Sequence, residues 1–345
     1  MNGTATAMDG TKRSDFSELV RFSPVMMTIA GVFTIVIMIV GVVGNMLTVA
    51  ALLRHSKIRT VAAAFIASLC ISDLLFCFMV LPFSASQFFH GTWIHGDILC
   101  TIIPVLRYAS IGVSLLSIAI ISINRYILIA WPHLYSKIYT KTKVICYIGF
   151  IWLFSYGIQI PILMGKWGCY GFDEKLGTCS IKKDENGNSA KTALFVIGFA
   201  FPCILIVISY ANIFYTVRKS HQRLQQHSTG SKYKRSEMKI TKMVLVIFIC
   251  FLVCYLPITL VKIFDDDVKH APLHVLGYLL IYMSSCVNPV VYVTMNKQYR
   301  QAYLDTLMCK INSPLDSQNT PAQPNSRSHM TVTYLKNMVS PSPKA

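Results

Sequence analysis

The sequence predicts an all-α membrane protein, in which a bundle of seven transmembrane helices is followed by a short amphipathic eighth helix. Of its 345 residues, 54% are hydrophobic and only 14% are charged, whereas soluble domains carry about 25% charged residues. Apolar runs long enough to cross a bilayer, which takes about 20 residues, recur seven times. The connections between these runs are short, so we expect one bundle and no soluble domain.

The seven runs divide the chain into four regions. They cover residues 25–53, 61–89, 98–130, 142–164, 192–216, 240–263 and 271–293. Residues 1–24 are polar and lack the apolar core of a cleavable signal peptide, so we expect the first run to direct membrane insertion. Residues 25–295 are assigned to the bundle and residues 296–310 to the eighth helix. Residues 311–345 are rich in Ser, Thr and Pro, which predicts a disordered tail.

The distribution of charge predicts the orientation in the plasma membrane. If the N-terminus is extracellular, the cytoplasmic segments hold 21 Lys and Arg residues against three acids, and the outer segments hold 10 against 11. An excess of Lys and Arg is typical of the cytoplasmic side, so we expect the N-terminus outside and the C-terminus inside. The net charge of +17 is concentrated in loops at the membrane edge, which favours contacts with membrane lipids and does not indicate a nucleic-acid partner.

Three modifications follow from this orientation. Asn2 lies in the sequon Asn-Gly-Thr and is a candidate for glycosylation on the outer side. Cys309 lies near the end of the predicted eighth helix on the inner side and suits palmitoylation. Cys100, Cys169 and Cys179 are all expected on the oxidising outer side, where one disulfide and one remaining cysteine are predicted.

Charged residues inside the apolar runs are the strongest candidates for function. A charge at the centre of a bilayer costs about 2.5–3.5 kcal/mol on insertion scales, and Asp73, Arg107 and Arg125 lie inside runs. Arg125 follows Asn124, with no acid beside it, close enough to the cytoplasmic end for its head group to reach water. Arg107 and Arg125 are 18 residues apart, which places them on one helix face about 27 Å from each other.

Short motifs in all seven runs, in order, resemble those of the rhodopsin-like (class A) G-protein-coupled receptors. They are Gly44-Asn45, "LCISD" ending at Asp73, "GTWIHG" with Cys100, Asn124-Arg125-Tyr126, Trp152 with Pro161, Pro202 with Tyr210, "FLVCYLP" ending at Pro257, and "NPVVY" from Asn288 to Tyr292. The resemblance covers residues 26 to 310, and Asn-Arg-Tyr with "CYLP" is most similar to the melatonin-receptor-like branch. It implies a receptor for an extracellular ligand that activates heterotrimeric G proteins.

The resemblance also implies the parts of a switch. Arg125 would bond inward when the receptor is off and meet the G protein when it is on. Glu237 matches the usual acidic partner of this arginine, although it could equally serve only to dilute a basic loop. Asn124 replaces the family's aspartate, so Arg125 keeps a hydrogen-bond partner and loses a charged one. The predicted switch residues are Asn124, Arg125, Tyr126, Tyr210, Glu237, Asn288, Pro289 and Tyr292.

The family pattern carries three further implications. Asp73, Ser114 and Asn288 match positions that coordinate Na⁺, a hard cation that prefers oxygen ligands; the alternative is an Asp73 kept neutral by hydrogen bonds. A bridge between Cys100 and Cys179 is expected, which leaves Cys169 unpaired. Phosphorylated Ser and Thr residues in the tail would recruit arrestin.

We expect an anionic ligand, best described as an acidic lipid. In amine receptors an aspartate occupies the position of Arg107, so the charge is reversed here. The predicted ligand residues are Arg107, Tyr108, Ile111, Tyr255, Thr259, Lys262, Tyr278 and Tyr282. Alternatively, Arg107 pairs with a loop acid such as Asp97 or Asp173, Lys262 extends towards water, and the ligand is an indoleamine such as melatonin or a peptide.

Other classes of protein find little support. Tyr282 stands where a light sensor needs its Schiff-base lysine, and no inverted repeat suggests a transporter. The sequence lacks a P-loop, HExxH or a coherent set of nucleophile and base, so no enzyme and no cofactor beyond an allosteric Na⁺ are predicted. The three consecutive acids that begin at Asp265 could hint at a metal, but such a run is more often solvated.

Overall fold

Seven helices in the part of the chain that the structure describes are long and apolar enough to cross a membrane, so the predicted bundle is confirmed. The structure is a computed structural model, and it describes residues 22–183, 187, 189–224, 231–265 and 268–308. The spans, numbered first to seventh, are Pro24–Arg54, Val61–His90, Gly96–Ala130, Lys141–Leu163, Lys191–Lys219, Met238–Lys262 and Ala271–Met295.

Three of the spans are interrupted, and each interruption lies next to a proline. The second span consists of the helices Val61–Met79 and Leu81–His90, and the fourth of Lys141–Gly157 and Ile160–Leu163. The fifth passes from Lys191–Phe195 through a π-helical turn at Val196–Ala200 into Phe201–Leu224. Proline lacks an N–H and crowds the carbonyl four residues earlier. For Pro202 that carbonyl belongs to Gly198, which lies inside the π turn.

The helix of the sixth span starts well before its apolar run. It covers Ser231–Phe264, whereas the apolar pattern predicts a start at residue 240. Hydropathy marks the part of a helix that lies in hydrocarbon, and a polar helix can continue beyond it with its backbone bonds intact. A short helix, Pro132–Ile138, also lies between the third and fourth spans, where the sequence indicated only a loop.

A β-hairpin lies over the N-terminal end of the third span. Strand β1 (Cys169–Asp173) pairs antiparallel with strand β2 (Thr178–Lys182). A disulfide joins Cys179 in β2 to Cys100 in the third span, with the two Cα atoms 5.2 Å apart. Cys169 is free and exposed. The predicted bridge is therefore confirmed, and it attaches the hairpin to the bundle.

The eighth helix packs along the first span. It covers Lys297–Leu307, close to the predicted region. The hydroxyl groups of Tyr303 and Thr48 are hydrogen-bonded, and Nε2 of His55 lies 3.1 Å from Oγ1 of Thr306. The eighth helix is thus attached at two points to the end of the first span. Cys309 and Asn2, the two predicted modification sites, lie outside the described residues.

The sixth and seventh spans approach closely at Gly277. A Cβ atom at Gly277 would lie 2.8 Å from Cβ and 3.1 Å from Cα of Ile258. Contacts with Cα cannot be relieved by a change of rotamer, so a larger residue must separate the two helices. Gly149 in the fourth span is also helical, but a Cβ atom there would meet nothing within 4 Å.

We therefore predict opposite effects for two identical substitutions. Gly277→Ala should destabilise the protein by about 1–3 kcal/mol because it overpacks the helix contact. Gly149→Ala should be neutral or stabilise by up to about 1 kcal/mol, since alanine is the better helix former. Thermal unfolding of the detergent-solubilised protein measures both. Equal unfolding temperatures for the two variants would show that the close contact at Gly277 does not destabilise the alanine variant.

Candidate functional site

A largely apolar cavity of about 540 Å³ lies beside the third span, between the fourth, fifth and sixth spans. Ile181 of β2 forms part of its wall, so the cavity is at the hairpin end of the bundle. Five of the predicted ligand residues line it: Tyr108, Ile111, Tyr255, Thr259 and Lys262. This volume is within the range of small-molecule sites.

Two lysines contribute the positive charge of the cavity wall. Lys262 is near the end of the sixth span, and Lys191 begins the fifth. The Lys262 ammonium lies 5.0 Å from the centre of the Tyr278 ring, a distance typical of cation–π contacts. Among the described residues, the ion pairs within 4.0 Å at this end of the bundle join Asp265 to histidines and involve neither lysine.

Arg107 does not line the cavity, contrary to the prediction. It is 4% exposed, and its Nη2 donates a long hydrogen bond of 3.5 Å to Oγ of Ser84 in the second span. Its Nε has no hydrogen-bond partner among the described residues. The pairings with Asp97 or Asp173 are not seen either. Arg107 lies on the side of the third span that faces the second and seventh spans, which periodicity alone could not identify.

Tyr278 and Tyr282 are also buried behind the cavity wall. The Tyr282 ring packs 6.0 Å from that of Phe76 in the second span and 6.3 Å from that of Tyr278. The Arg107 guanidinium lies 5.9 Å from the centre of the Tyr278 ring. Tyr278 is therefore in contact with both cations, Arg107 and Lys262, and the hydroxyl of this buried tyrosine has no hydrogen-bond partner among the described residues.

Residues of the sixth span form one wall of the cavity, and their side chains are held by local contacts. The Tyr255 ring stacks on that of Phe251 with a centroid distance of 4.0 Å, and its hydroxyl lies 3.0 Å from Oγ of Ser284. Thr259 donates to the carbonyl of Tyr255 at 2.8 Å. The fourth and fifth spans also contribute to the wall, which the sequence did not indicate; their residues include Phe154, Lys191, Phe195 and Phe199. The one sequence feature that could have indicated this contribution is Lys191, which directly precedes the fifth apolar run.

The three residues predicted to bind sodium do lie together. Asp73 is 5% exposed, and its carboxylate accepts hydrogen bonds from Oγ of Ser114 at 3.2 Å and from Nδ2 of Asn288 at 2.9 Å. A space of about 10 Å³ adjoins them, with Ser284 also on its wall. One water molecule needs about 10–15 Å³, so this site fits one small cation or one water.

Arg125 lies deeper than predicted. It is 2% exposed, so its head group does not reach water as the sequence suggested. Its Nη2 donates to Oδ1 of Asn124 at 2.8 Å, and Nδ2 of Asn124 donates to the hydroxyl of Tyr135 at 3.2 Å. The short helix Pro132–Ile138 supplies Tyr135, and this unpredicted element fixes the amide that holds the arginine. The hydrogen-bond partner predicted at Asn124 is present.

The remaining switch residues connect neighbouring helices. The Tyr210 hydroxyl donates to the carbonyl of Thr241 at 3.0 Å and so joins the fifth span to the sixth. Tyr292 is fully buried, and its ring lies 5.5 Å from that of Tyr299 in the eighth helix. The Tyr126 hydroxyl accepts a 3.5 Å bond from Nε1 of Trp131. Pro289 is inside the seventh helix, and the side chain of Glu237 lies outside the described residues.

Comparisons with known proteins agree with this geometry. The family model described as "7 transmembrane receptor (rhodopsin family)" matches residues 44–292. The G-protein coupled receptor moody of Drosophila melanogaster is 45% identical in an alignment that covers 84% of this chain and 52% of moody. This chain thus spans about half the length of that relative.

More distant relatives extend the pattern. Protein trapped in endoderm-1 of Drosophila melanogaster is 39% identical over 79% of this chain and 76% of its own length. The melatonin receptor type 1A of Phodopus sungorus is 28% identical over 84% of this chain and 83% of its own length. Squid rhodopsin, at 24% identity, superposes with a TM-score of 0.75 over 89% of this chain and 90% of its own, which shows a common fold.

Proposed function

The chain belongs to the rhodopsin-like (class A) family of G-protein-coupled receptors, and from this premise we propose that it responds to an anionic amphiphile outside the cell. The signal passes to a heterotrimeric G protein, and arrestin binds the phosphorylated tail. The receptor resides in the plasma membrane with its N-terminus outside. Its relatives are receptors, in agreement with the prediction that the chain is not an enzyme.

The observation that carries the proposal is the pair of lysines on the wall of an apolar cavity. Burial of a cation costs free energy unless a partner of opposite charge is present, and the half-buried Lys262 has no acid within ion-pairing distance among the described residues. The exposed Lys191 has none among them either, and it adds a second positive charge to the same wall. Aliphatic and aromatic side chains such as Ile111, Leu194 and Phe199 make up most of the remaining wall. A ligand with an acid group and an apolar body satisfies both parts.

Arg107 contributes from behind the wall. Its guanidinium and the Lys262 ammonium both lie near the Tyr278 ring, at 5.9 Å and 5.0 Å from its centre. Two cations at one ring raise the positive potential at this corner of the cavity. The acid group of the ligand therefore meets Lys262 directly, and Arg107 strengthens the attraction without contact.

An indoleamine is the second candidate. The aromatic side chains of Phe154, Phe195, Phe199 and Tyr255 on the cavity wall could stack on an indole ring, and the melatonin receptor is a relative at 28% identity. A neutral indole would leave Lys262 and Lys191 without an anionic partner, which disfavours it. A peptide ligand would need an acidic group for the same reason.

The ligand class is tested by removing one charge at a time. Lys262→Met keeps the length of the side chain and removes its charge, so we expect the potency of an anionic lipid agonist to fall at least about ten-fold, as for the loss of one buried charge-assisted bond. Lys182→Met, at the exposed end of β2, is the matched control and should leave potency unchanged. A G-protein activation assay at equal surface expression measures both.

Two results would argue against the anionic ligand. One is activation by a neutral indole or a cationic amine with the same potency in the Lys262→Met variant as in the parent. The other is an unchanged response to the anionic lipid in that variant. Arg107→Met adds a graded comparison, since we expect a loss smaller than that of Lys262→Met.

The buried position of Arg125 suggests the off state of the switch. To meet a G protein, its guanidinium must leave the amide of Asn124 and become accessible from the cytoplasm. The strength of that one hydrogen bond therefore sets part of the balance between the off and on states. The adjacent Asn124 is neutral, and a carboxylate in its place would make a stronger, charge-assisted bond.

Asn124→Asp should accordingly lower ligand-independent signalling about five-fold, which corresponds to roughly 1 kcal/mol in favour of the off state. Asn124→Leu, which has a similar size and no acceptor, should raise it. Glu237→Ala should also raise it if Glu237 is the second partner of Arg125. Basal G-protein activation at matched surface expression is the measurement, and identical basal activity in all three variants would exclude this lock.

Sodium binding at Asp73 is the last part of the proposal. The carboxylate of Asp73 and the oxygens of Ser114, Asn288 and Ser284 suit a hard cation, and when bound it would supply a positive charge that neutralises the buried acid. NaCl should then raise the unfolding temperature more than KCl does. Asp73→Asn should abolish this difference, while Asp97→Asn, an exposed acid, should retain it. Equal stabilisation by both salts in the parent protein would favour a neutral, hydrogen-bonded Asp73.

A further inference from the structure

A second, smaller pocket of about 90 Å³ adjoins the ligand cavity on the side of the hairpin. Its charged and titratable wall residues come from the hairpin and from the ends of three spans: Asp173, Lys175, Lys191, Lys262, Asp265 and His274. We call it the outer pocket. Lys191 and Lys262 line both spaces. A water molecule needs about 10–15 Å³ of such space, so the outer pocket has room for a group of several atoms.

His274 is a buried histidine with one unused ring nitrogen. It is 2% exposed, and its Nε2 lies 3.2 Å from both the backbone oxygen and the Oδ2 of Asp265. Both of these atoms are acceptors, so Nε2 carries the proton. Nδ1 is buried and has no hydrogen-bond partner among the described residues. In the neutral ring Nδ1 is an acceptor, and in the imidazolium it becomes a donor.

The carboxylate of Asp265 is committed to its own loop. Oδ1 accepts from the backbone N–H of Lys269 and Oδ2 from that of His270, both at 2.8 Å. Although burial acts to raise the pKa of Asp265, these bonds and the one from His274 outweigh it and hold the pKa below its ordinary value. The negative charge of Asp265 is thus shared with backbone donors and is not available to Lys191 or Lys262 alone.

The charges that face His274 are therefore unbalanced. The sixth span and the loop after it bring Lys262, Asp265 and the exposed His270, whose Nδ1 is 3.6 Å from Oδ2 of Asp265. The fifth span brings Lys191, and the hairpin brings Lys175 and Asp173. Oδ1 of Asp173 accepts from the backbone N–H of Leu176 at 3.4 Å. Among the described residues three lysines and two acids line this pocket, and protonation of His274 adds a fourth cation.

We propose that the outer pocket is an oxyanion-binding site for a sulfate- or phosphate-like group, in which Lys191, Lys262 and the Nδ1–H of protonated His274 are donors. The site deepens the proposed function and rests on it in part, because the acid group of an amphiphilic ligand would lie here while its apolar body fills the larger cavity. A free anion could occupy the same position.

Sulfate is a suitable probe because it remains a dianion between pH 6 and pH 8, unlike phosphate. A change in its affinity over this range therefore reports a change in the protein. The receptor is titrated with sodium sulfate at constant ionic strength and constant Na⁺, which sodium chloride and choline chloride together maintain, and thermal unfolding reports binding. We expect sulfate affinity about ten-fold higher at pH 6 than at pH 8, because the added charge of His274 attracts the anion.

His274→Gln should remove this pH dependence. The glutamine amide can still donate to Asp265 from the position of Nε2, but it has no group equivalent to Nδ1. His270→Gln is the matched control, because His270 is an exposed histidine beside the same carboxylate, and it should retain the dependence. If His274→Gln does not fold, Lys191→Met, at an exposed position, should weaken sulfate binding at both pH values.

The inference is overturned if sulfate stabilises no more than chloride does, or if His274→Gln keeps the full pH effect. Stabilisation of the receptor by oleoyl lysophosphatidate or oleate then tests the proposed ligand class independently of the outer pocket. If sulfate binds and neither lipid stabilises the receptor, the outer pocket is supported and the proposed ligand class is rejected. If a lipid stabilises the receptor in a Lys262-dependent way and sulfate does not bind, the ligand class is supported and the outer pocket is rejected. Competition between lysophosphatidate and sulfate identifies the lipid head group as the occupant, whereas simultaneous binding identifies a free anion.

Discussion

Polar groups inside the spans must be satisfied by the protein itself, because hydrocarbon offers no hydrogen bonds. Asp73 is held by Ser114 and Asn288 from two other spans, and Arg125 by the amide beside it. Asn45 donates to the carbonyl of Ser285 at 2.7 Å and joins the first span to the seventh. The bonds of Asp73 and Asn45 join different spans, and each fixes the relative position of helices whose apolar surfaces alone would pack in several ways.

At the hairpin end of the bundle, in contrast, charged groups lie close to the cavity without oppositely charged partners among the described residues. Here Arg107, Lys262 and Lys191 bring cations to an apolar cavity, and the acids nearby are either exposed or bonded to backbone. The disulfide from Cys179 to Cys100 holds β2, and with it Ile181, against the third span. Among the described residues, no acid lies within ion-pairing distance of the two lysines on this wall, and the proposal of an anionic ligand rests on that observation.

The seventh span has contacts at both ends of the bundle and at its centre. It contributes Tyr278 beside the cations, Asn288 beside Asp73 and Tyr292 against the eighth helix. Pro289 lies within it and removes one backbone bond.

The sequence by itself determined the seven spans, because hydropathy is a local property. Its local motifs, through family resemblance, also indicated the disulfide and the clustering of Asp73, Ser114 and Asn288. It did not determine that Arg107 faces the second span, that Lys191 reaches the cavity, or that Tyr135 holds Asn124. Periodicity shows which residues of a helix share a face, but which neighbour that face meets depends on how seven helices and a hairpin pack together. For the same reason His274 and Asp265, nine residues apart, become the wall of one pocket only in the folded bundle.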